Sequence, residues 1–77
     1  MALDWDKLRL FHAVAEAGSF TEAAKKLSQS QPVLSRHIRA LEESLGAPLF
    51  HRHARGLVLT HEGERLFETT HSFADRI

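Results

Sequence analysis

A chain of 77 residues has room for one small domain, and its lack of cysteine excludes both a disulfide scaffold and a thiolate zinc site. Ten basic and ten acidic residues cancel to a net charge of zero, which on its own argues against a nucleic-acid partner. No apolar run approaches the roughly 18 residues of a membrane span, and the first ten residues lack the pattern of a signal peptide, so we expect a cytoplasmic domain with no membrane partner.

Two helices are predicted in the first part of the chain. Asp4 is placed to cap a helix over about residues 5–17, whose apolar residues recur at helical spacing and which Gly18 ends. Ser19 followed three residues later by Glu22 is the capping-box arrangement, and it predicts a second, short helix. The residues of this helix that are expected to face inward are Phe20, Ala23, Ala24 and Leu27.

The third predicted helix has two contrasting faces. It begins near residue 31, because Pro32 is tolerated only in the first turn of a helix, and Gly46 ends it after Leu45. Four apolar residues form a narrow stripe that is expected to anchor the helix on the core: Leu34, Ile38, Leu41 and Leu45. The opposite side carries small or polar residues, namely Pro32, Ser35, Arg36 and Arg39.

A short helix, a tight polar turn and a second helix with protruding Gln, Ser and Arg match the helix-turn-helix plan. In that plan the second helix enters the major groove of DNA, where arginine pairs with guanine and glutamine with adenine. The alternative is an ordinary solvent-exposed face. That alternative does not explain why glutamate and lysine are absent from the first two turns of this helix.

A hairpin with a basic tip is predicted after the third helix. From Leu49 onward the pattern changes to LFHRH and then LVLT, around a turn that contains Gly56. Arg52 and Arg55 would lie along the phosphates or enter the minor groove, whereas the alternative is a merely solvated turn. The position of this hairpin directly after a recognition helix favours the first interpretation.

The charges are unevenly distributed along the chain. Residues 33–56 carry four arginines against two glutamates, whereas residues 57–77 carry two arginines against four acidic residues. Local charge determines local binding, so a neutral chain is still able to present a basic surface.

Thr60 is predicted to cap a last helix that continues to the end of the sequence. Its apolar residues fall on one face at spacings of three and four, and the residues of this face are Leu66, Phe67, Thr70, Phe73, Ala74 and Ile77.

Neither a metal site nor an active site is predicted. Six histidines are present, but His51 and His53 have no carboxylate at a spacing that would complete a site. Ser35 has no obvious base to activate it, and the adjacent Glu42 and Glu43 point apart on a helix. We therefore expect no enzyme. The remaining alternative is a protein-docking module, since winged helices also serve that role.

Four runs of residues carry a family resemblance. They are Gly18-Ser19-Phe20-Thr21-x-Ala23-Ala24, Ser30-Gln31-Pro32-x-x-Ser35-Arg36, Pro48-Leu49-Phe50-x-Arg52 and Leu59-Thr60-x-x-Gly63. The chain resembles the N-terminal DNA-binding domain of the LysR-type transcriptional regulators. The resemblance implies an all-α fold with a small β-hairpin wing, in which a winged helix-turn-helix covers residues 1–60 and a truncated linker helix covers residues 61–77. It also implies that a small-molecule effector binds a further domain absent from this chain, which itself needs no cofactor.

The resemblance also implies roles for individual residues. Base contacts are expected at Gln31, Pro32, Val33, Ser35 and Arg36. Contacts to the DNA backbone are expected at Ser19, Thr21, Ser30 and Arg39, and minor-groove contacts of the wing at Arg52 and Arg55. The linker helix is expected to pair two copies into a homodimer through Leu66, Phe67, Thr70, Phe73, Ala74 and Ile77. Full-length regulators of this kind form tetramers on palindromic promoter sites that contain a T-N11-A type motif.

Overall fold

The computed structural model describes residues 5–53 and 56–75, the last four of these for their backbone alone. This part of the chain forms four helices and one hairpin, and the predicted fold of helices with a small hairpin is confirmed. The elements are α1 (Trp5–Ala17), α2 (Phe20–Leu27), α3 (Gln31–Leu45), β1 (Phe50–His53), β2 (Gly56–Leu59) and α4 (His61–Asp75). The predicted cap at Asp4 lies outside the described residues.

Side-chain caps and one glycine set the ends of the middle helices. The hydroxyl of Ser19 accepts a hydrogen bond from the backbone N–H of Glu22 at 3.0 Å, so the predicted start of α2 is confirmed. Ser30 caps α3 in the same way, accepting from the N–H of Val33 at 3.3 Å. Gly46 ends α3 with a φ of 75°, a left-handed conformation that glycine adopts without strain.

The core lies where α1, α2 and α3 meet under the hairpin. Phe11 and Val14 of α1 are fully buried, and α3 contributes the predicted stripe with one exception. Leu34, Ile38 and Leu41 are 0–2% exposed, but Leu45 is 39% exposed, so the prediction that Leu45 anchors α3 is wrong. The physical reason is that Leu45 is the last residue of α3 and lies at the edge of a groove rather than inside the core.

The hairpin is antiparallel and is fixed to the turn between α1 and α2. Its register pairs Phe50 with Leu59 and His53 with Gly56. The backbone N–H of Leu57 donates to the carbonyl of Gly18 at 3.1 Å. A Cβ at Gly56 would lie 2.9 Å from that carbonyl oxygen, so this close approach requires glycine.

Thr60 joins the start of α4 to the segment before the hairpin. Its buried hydroxyl donates to the carbonyl of Pro48 at 2.7 Å and accepts from the N–H of Gly63 at 3.0 Å. The backbone N–H of Thr60 donates to the carbonyl of Leu49 at 3.0 Å. The prediction that Thr60 caps the last helix is therefore confirmed.

Glu42 provides a testable contact between α3 and the chain that follows it. Its Oε2 accepts from the backbone N–H of buried Leu49 at 2.6 Å, and its removal would leave this N–H without an acceptor. We expect Glu42→Ala to lower the free energy of unfolding by about 1.5–3 kcal/mol in urea denaturation. Glu43→Ala is the matched control, because Glu43 is exposed, and it should stay within about 0.5 kcal/mol of the parent chain. Equal losses for the two variants would contradict this role.

Candidate nucleic-acid interface

The helix-turn-helix is built from α2, a three-residue turn and α3. Ser28, the first residue of the turn, takes the left-handed conformation with a φ of 54°. The N–H of Gln29 then donates to the carbonyl of Ala24 at 3.1 Å, which closes the end of α2. This compact turn fixes the direction in which α3 leaves α2.

The predicted base-contact residues lie together on the outer face of α3. Gln31, Pro32, Val33 and Arg36 are exposed, and Ser35 is half-buried. An open concavity of about 220 Å³ runs along this face and is lined by Pro32, Ser35, Arg36 and Arg39. The sequence therefore predicted a set of residues that the structure does bring together. Their contact with bases stays a prediction.

Three of the four predicted contacts to the DNA backbone are hydroxyl side chains, and they have different local roles. The hydroxyls of Ser19 and Ser30 accept backbone hydrogen bonds at the starts of α2 and α3. A hydroxyl that accepts in this way keeps its own proton, which is able to donate to a phosphate oxygen. Thr21 is exposed in the first turn of α2. The N-termini of two helices therefore carry these three hydroxyls, and both termini favour anions.

Arg52 lies against α3 rather than away from it. Its Nη2 donates to Ser35 Oγ at 3.4 Å, and its guanidinium carbon lies 5.4 Å from the centroid of the Phe20 ring. Sequence reasoning missed both contacts because Ser35 is 17 residues away along the chain and no local signal connects them. The second predicted wing residue, Arg55, lies outside the described residues.

We call Arg36, Arg39 and Arg52 the arginine face. Within the part of the chain that the structure describes, the ion pairs are those of Arg9 with Asp6, His12 with Glu16, and Lys25 with Glu22. None of them uses an arginine of this face. The positive charge of the face is therefore not cancelled by a carboxylate in contact with it, although the net charge of the chain is zero.

Some of the predicted dimer residues on α4 contact α1 of the same chain. The ring of Phe67 stacks on His12 of α1 with centroids 4.9 Å apart, and Thr70 Oγ1 lies 2.9 Å from His12 Nδ1. Leu66 is half-buried and lines a groove with Leu45. The side chains of Phe73 and Ala74, and Ile77 altogether, lie outside the described residues. Pairing of α4 with a second copy stays a prediction, and α1 already covers part of its face.

Two kinds of feature are absent from the described residues. Across residues 5–53 and 56–75 there is no group of three histidine, cysteine, aspartate or glutamate side chains placed to hold a metal ion. No helix in those two ranges is long and apolar enough to cross a lipid bilayer.

The sequence matches known proteins along most of its length. The family model described as "Bacterial regulatory helix-turn-helix protein, lysR family" matches residues 5–64. The HTH-type transcriptional regulator XapR of Escherichia coli K12 is 54% identical over 65 residues, which cover 84% of this chain and 22% of that protein. The HTH-type transcriptional activator AmpR of Pseudomonas aeruginosa is 47% identical over 75 residues, which cover 97% of this chain and 25% of AmpR. The chain thus spans about a quarter of the length of these two relatives.

Solved structures share the same fold. The complex of the DNA-binding domain of BenM with catB site 1 DNA superposes with a TM-score of 0.89 at 40% identity, covering 96% of this chain and 83% of that one. The corresponding domain of CbnR in complex with DNA gives a TM-score of 0.86 at 40% identity, covering 95% and 84%. The predicted winged helix-turn-helix architecture is therefore confirmed, with α3 in the place of the recognition helix and the hairpin as the wing.

Proposed function

Because the chain belongs to the lysR family of bacterial regulatory helix-turn-helix proteins, we propose that it is a DNA-binding module that reads promoter sequence through α3. The observation that carries this proposal is the outer face of α3, where small and polar residues lie beside the unneutralised arginine face. The DNA complexes of the BenM and CbnR domains, which share this fold, support it.

In the proposed mechanism, α3 enters the major groove with its N-terminal half. Arg36 would donate two hydrogen bonds to a guanine, Gln31 would pair with an adenine, and the exposed side chain of Val33 would contact a thymine methyl group. Pro32 would let the backbone approach the base edges. The wing would lie at the minor groove, with Arg55 as the predicted contact, and the phosphates would provide most of the affinity.

The module is proposed to act without catalysis and without a cofactor of its own, in the cytoplasm. The two compared relatives are named as a transcriptional regulator and a transcriptional activator, and each is about four times as long as this chain. Any small-molecule effector would bind a further domain, and two copies would pair through α4 on a palindromic site, with a tetramer in the full-length protein.

Pairing through α4 predicts a specific loss. Phe73→Asp would place a carboxylate on the predicted dimer face. The free-energy cost of burying this unpaired charge exceeds the free energy that the helix pairing provides. We expect this variant to sediment as a monomer at concentrations where the parent chain is a dimer. Glu68→Gln, on an exposed position of the same helix, should sediment like the parent chain. If the mass of the Phe73→Asp variant equals that of the parent dimer, α4 does not pair two copies in this way.

One observation favours the second candidate function, a protein-docking module. A groove of about 300 Å³ between the end of α3 and the start of α4 is lined by Leu45, Ala47, Leu49, Glu62, Leu66 and Thr69. Leu45 is 39% exposed at its edge, although it is apolar. Such a groove is able to accept an apolar side chain of a partner protein.

Amide chemical-shift mapping separates the two candidates. A 15N-labelled chain titrated with a duplex of random sequence should show its largest shifts in the first half of α3, at the start of α2 and in the wing. No shifts at low salt would favour protein docking, whereas shifts confined to the groove residues would place the DNA there and contradict reading by α3. The chain is small enough for every described amide to be followed individually.

A further inference from the structure

Arg52 connects three elements of the fold at the point where the wing meets the recognition helix. It belongs to β1, its guanidinium covers the ring of Phe20 at the start of α2, and its Nη2 donates to Ser35 of α3. We infer that Arg52 is a positioning residue that orients the Ser35 hydroxyl for base reading, rather than a direct contact to the minor groove. This inference rests on the proposed function and specifies how one residue of α3 reads DNA.

The stack on Phe20 fixes where the guanidinium lies. Phe20 is only 8% exposed, and its ring also packs at 6.1 Å from the ring of Phe50, so it offers a rigid platform. A guanidinium within about 6 Å of such a ring is attracted to its face. The side chain of Arg52 is therefore held beside α3 by an apolar neighbour, with one of its donors, Nη2, directed at Ser35.

The hydrogen bond to Ser35 determines what that hydroxyl is able to do next. A serine hydroxyl has one proton to donate and two lone pairs with which to accept. An arginine has donors only, so at Ser35 the oxygen must accept. One lone pair is then occupied, and the positive charge beside the oxygen polarises the O–H bond. Ser35 is thereby biased to donate its proton outward, along the concavity that it shares with Arg36.

This bias has a consequence for the base that Ser35 faces. Acceptors in the major groove are the N7 atoms of purines, O6 of guanine and O4 of thymine, whereas the N4 amino group of cytosine and the N6 amino group of adenine are donors. A hydroxyl that donates should favour the acceptors and disfavour these amino groups. Without Arg52 both lone pairs of the oxygen are free to accept and the neighbouring positive charge is gone, so the bias toward donation and the preference at that base pair should weaken.

A double-mutant cycle tests the inference. The duplex is selected from a random-sequence pool with the parent chain, and each of its base pairs is then varied singly. Ser35→Ala and Arg52→Met should each bind the selected duplex about five- to tenfold more weakly, and both should lose preference at the same base pair. The double variant should bind within about twofold of either single variant, because the two residues act as one unit.

Salt dependence separates positioning from phosphate contact. A lost phosphate contact lowers the log–log salt slope by roughly 0.9, and Arg52→Met should change it by less than half of that. Arg55→Met is the comparison variant, since it removes the same charge from the predicted minor-groove residue: it should weaken binding and lower the salt slope, but keep the preference at the Ser35 base pair. Arg52→Lys keeps the charge but not the planar fork, so it should retain the salt slope and still lose the preference.

Melting temperatures of all variants, measured alongside, show that each one is folded at the temperature of the titration. Additive losses in the cycle, or full preference in Arg52→Lys, would overturn the inference while leaving the proposed function in place. If the parent chain enriches no sequence from the pool, the proposed function itself fails, and the role of Arg52 fails with it.

Discussion

Gly63→Ala is expected to lower the free energy of unfolding by about 3 kcal/mol, and the melting temperature by about 15 °C. A Cβ on Gly63 would lie 2.2 Å from the carbonyl oxygen of Leu49 and 3.0 Å from Cδ2 of Leu59. The first of these atoms belongs to the backbone and is unable to rotate away. The loss is expected even though alanine stabilises an ordinary helix position by up to about 1 kcal/mol relative to glycine.

The reason lies in how α4 crosses the rest of the domain. Gly63 is in the first turn of α4 and is buried against the segment that leads into β1, and its N–H is capped by Thr60. An added methyl group would force α4 away from Leu49, the buried residue whose N–H is bonded to Glu42. Thermal unfolding followed by circular dichroism measures the effect directly.

Gly46→Ala serves as the control for this prediction. Gly46 has a φ of 75°, but a Cβ built there has no atom within 4 Å. Gly46→Ala should therefore lower the free energy of unfolding by only about 1–2 kcal/mol, the cost of holding alanine in the left-handed conformation. A Gly63→Ala variant at least as stable as the parent chain would show that α4 does not approach Leu49 as closely as the structure places it.

Arg36→Ala should weaken binding to a specific duplex by about 1–3 kcal/mol and relax the preference at one base pair. Arg36 is exposed on the outer face of α3, one helical turn beyond Pro32, and none of the described carboxylates forms an ion pair with it. Its guanidinium is therefore available for two parallel hydrogen bonds to a guanine, a pairing that alanine is unable to replace. Anisotropy titrations against the specific duplex and its single-base variants measure both quantities.

Arg65→Ala is the matched control for charge. Arg65 is exposed on α4, outside the arginine face, so its loss should change the affinity for the specific duplex by no more than about 0.5 kcal/mol. An equal loss of affinity for specific and random duplexes in Arg36→Ala would show that Arg36 contacts phosphate and does not read a base.

Local signals in the sequence were sufficient to predict the elements and the outer face of α3. Ser19, Ser30 and Thr60 each cap a helix by accepting from the backbone N–H three positions onward, so both partners of each contact lie within one short run of the sequence. The two faces of α3 follow from the helical period of its apolar residues. Leu45 is the exception, because periodicity does not reveal where the core ends.

Contacts between distant parts of the chain were not predictable in this way. The hydrogen bond from Arg52 to Ser35 and the approach of Gly56 to the carbonyl of Gly18 depend on how the hairpin packs on the helices. The same holds for the stacking of Phe67 on His12, which turns part of the predicted dimer face toward α1. Neither the helical period nor a capping pattern in the sequence predicts these three contacts, although they determine how the wing and α4 are positioned.

Reading of DNA sequence by α3 is open to a direct measurement. Fluorescence anisotropy of a labelled palindromic promoter duplex, compared with a scrambled duplex at two salt concentrations, tests it most directly. If α3 reads sequence, the chain binds the palindrome more tightly, and its affinity for both duplexes falls steeply with salt, by roughly 0.9 in log slope for each phosphate contact. Equal affinity for the two duplexes, or no binding to either at low salt by a folded chain, would contradict it.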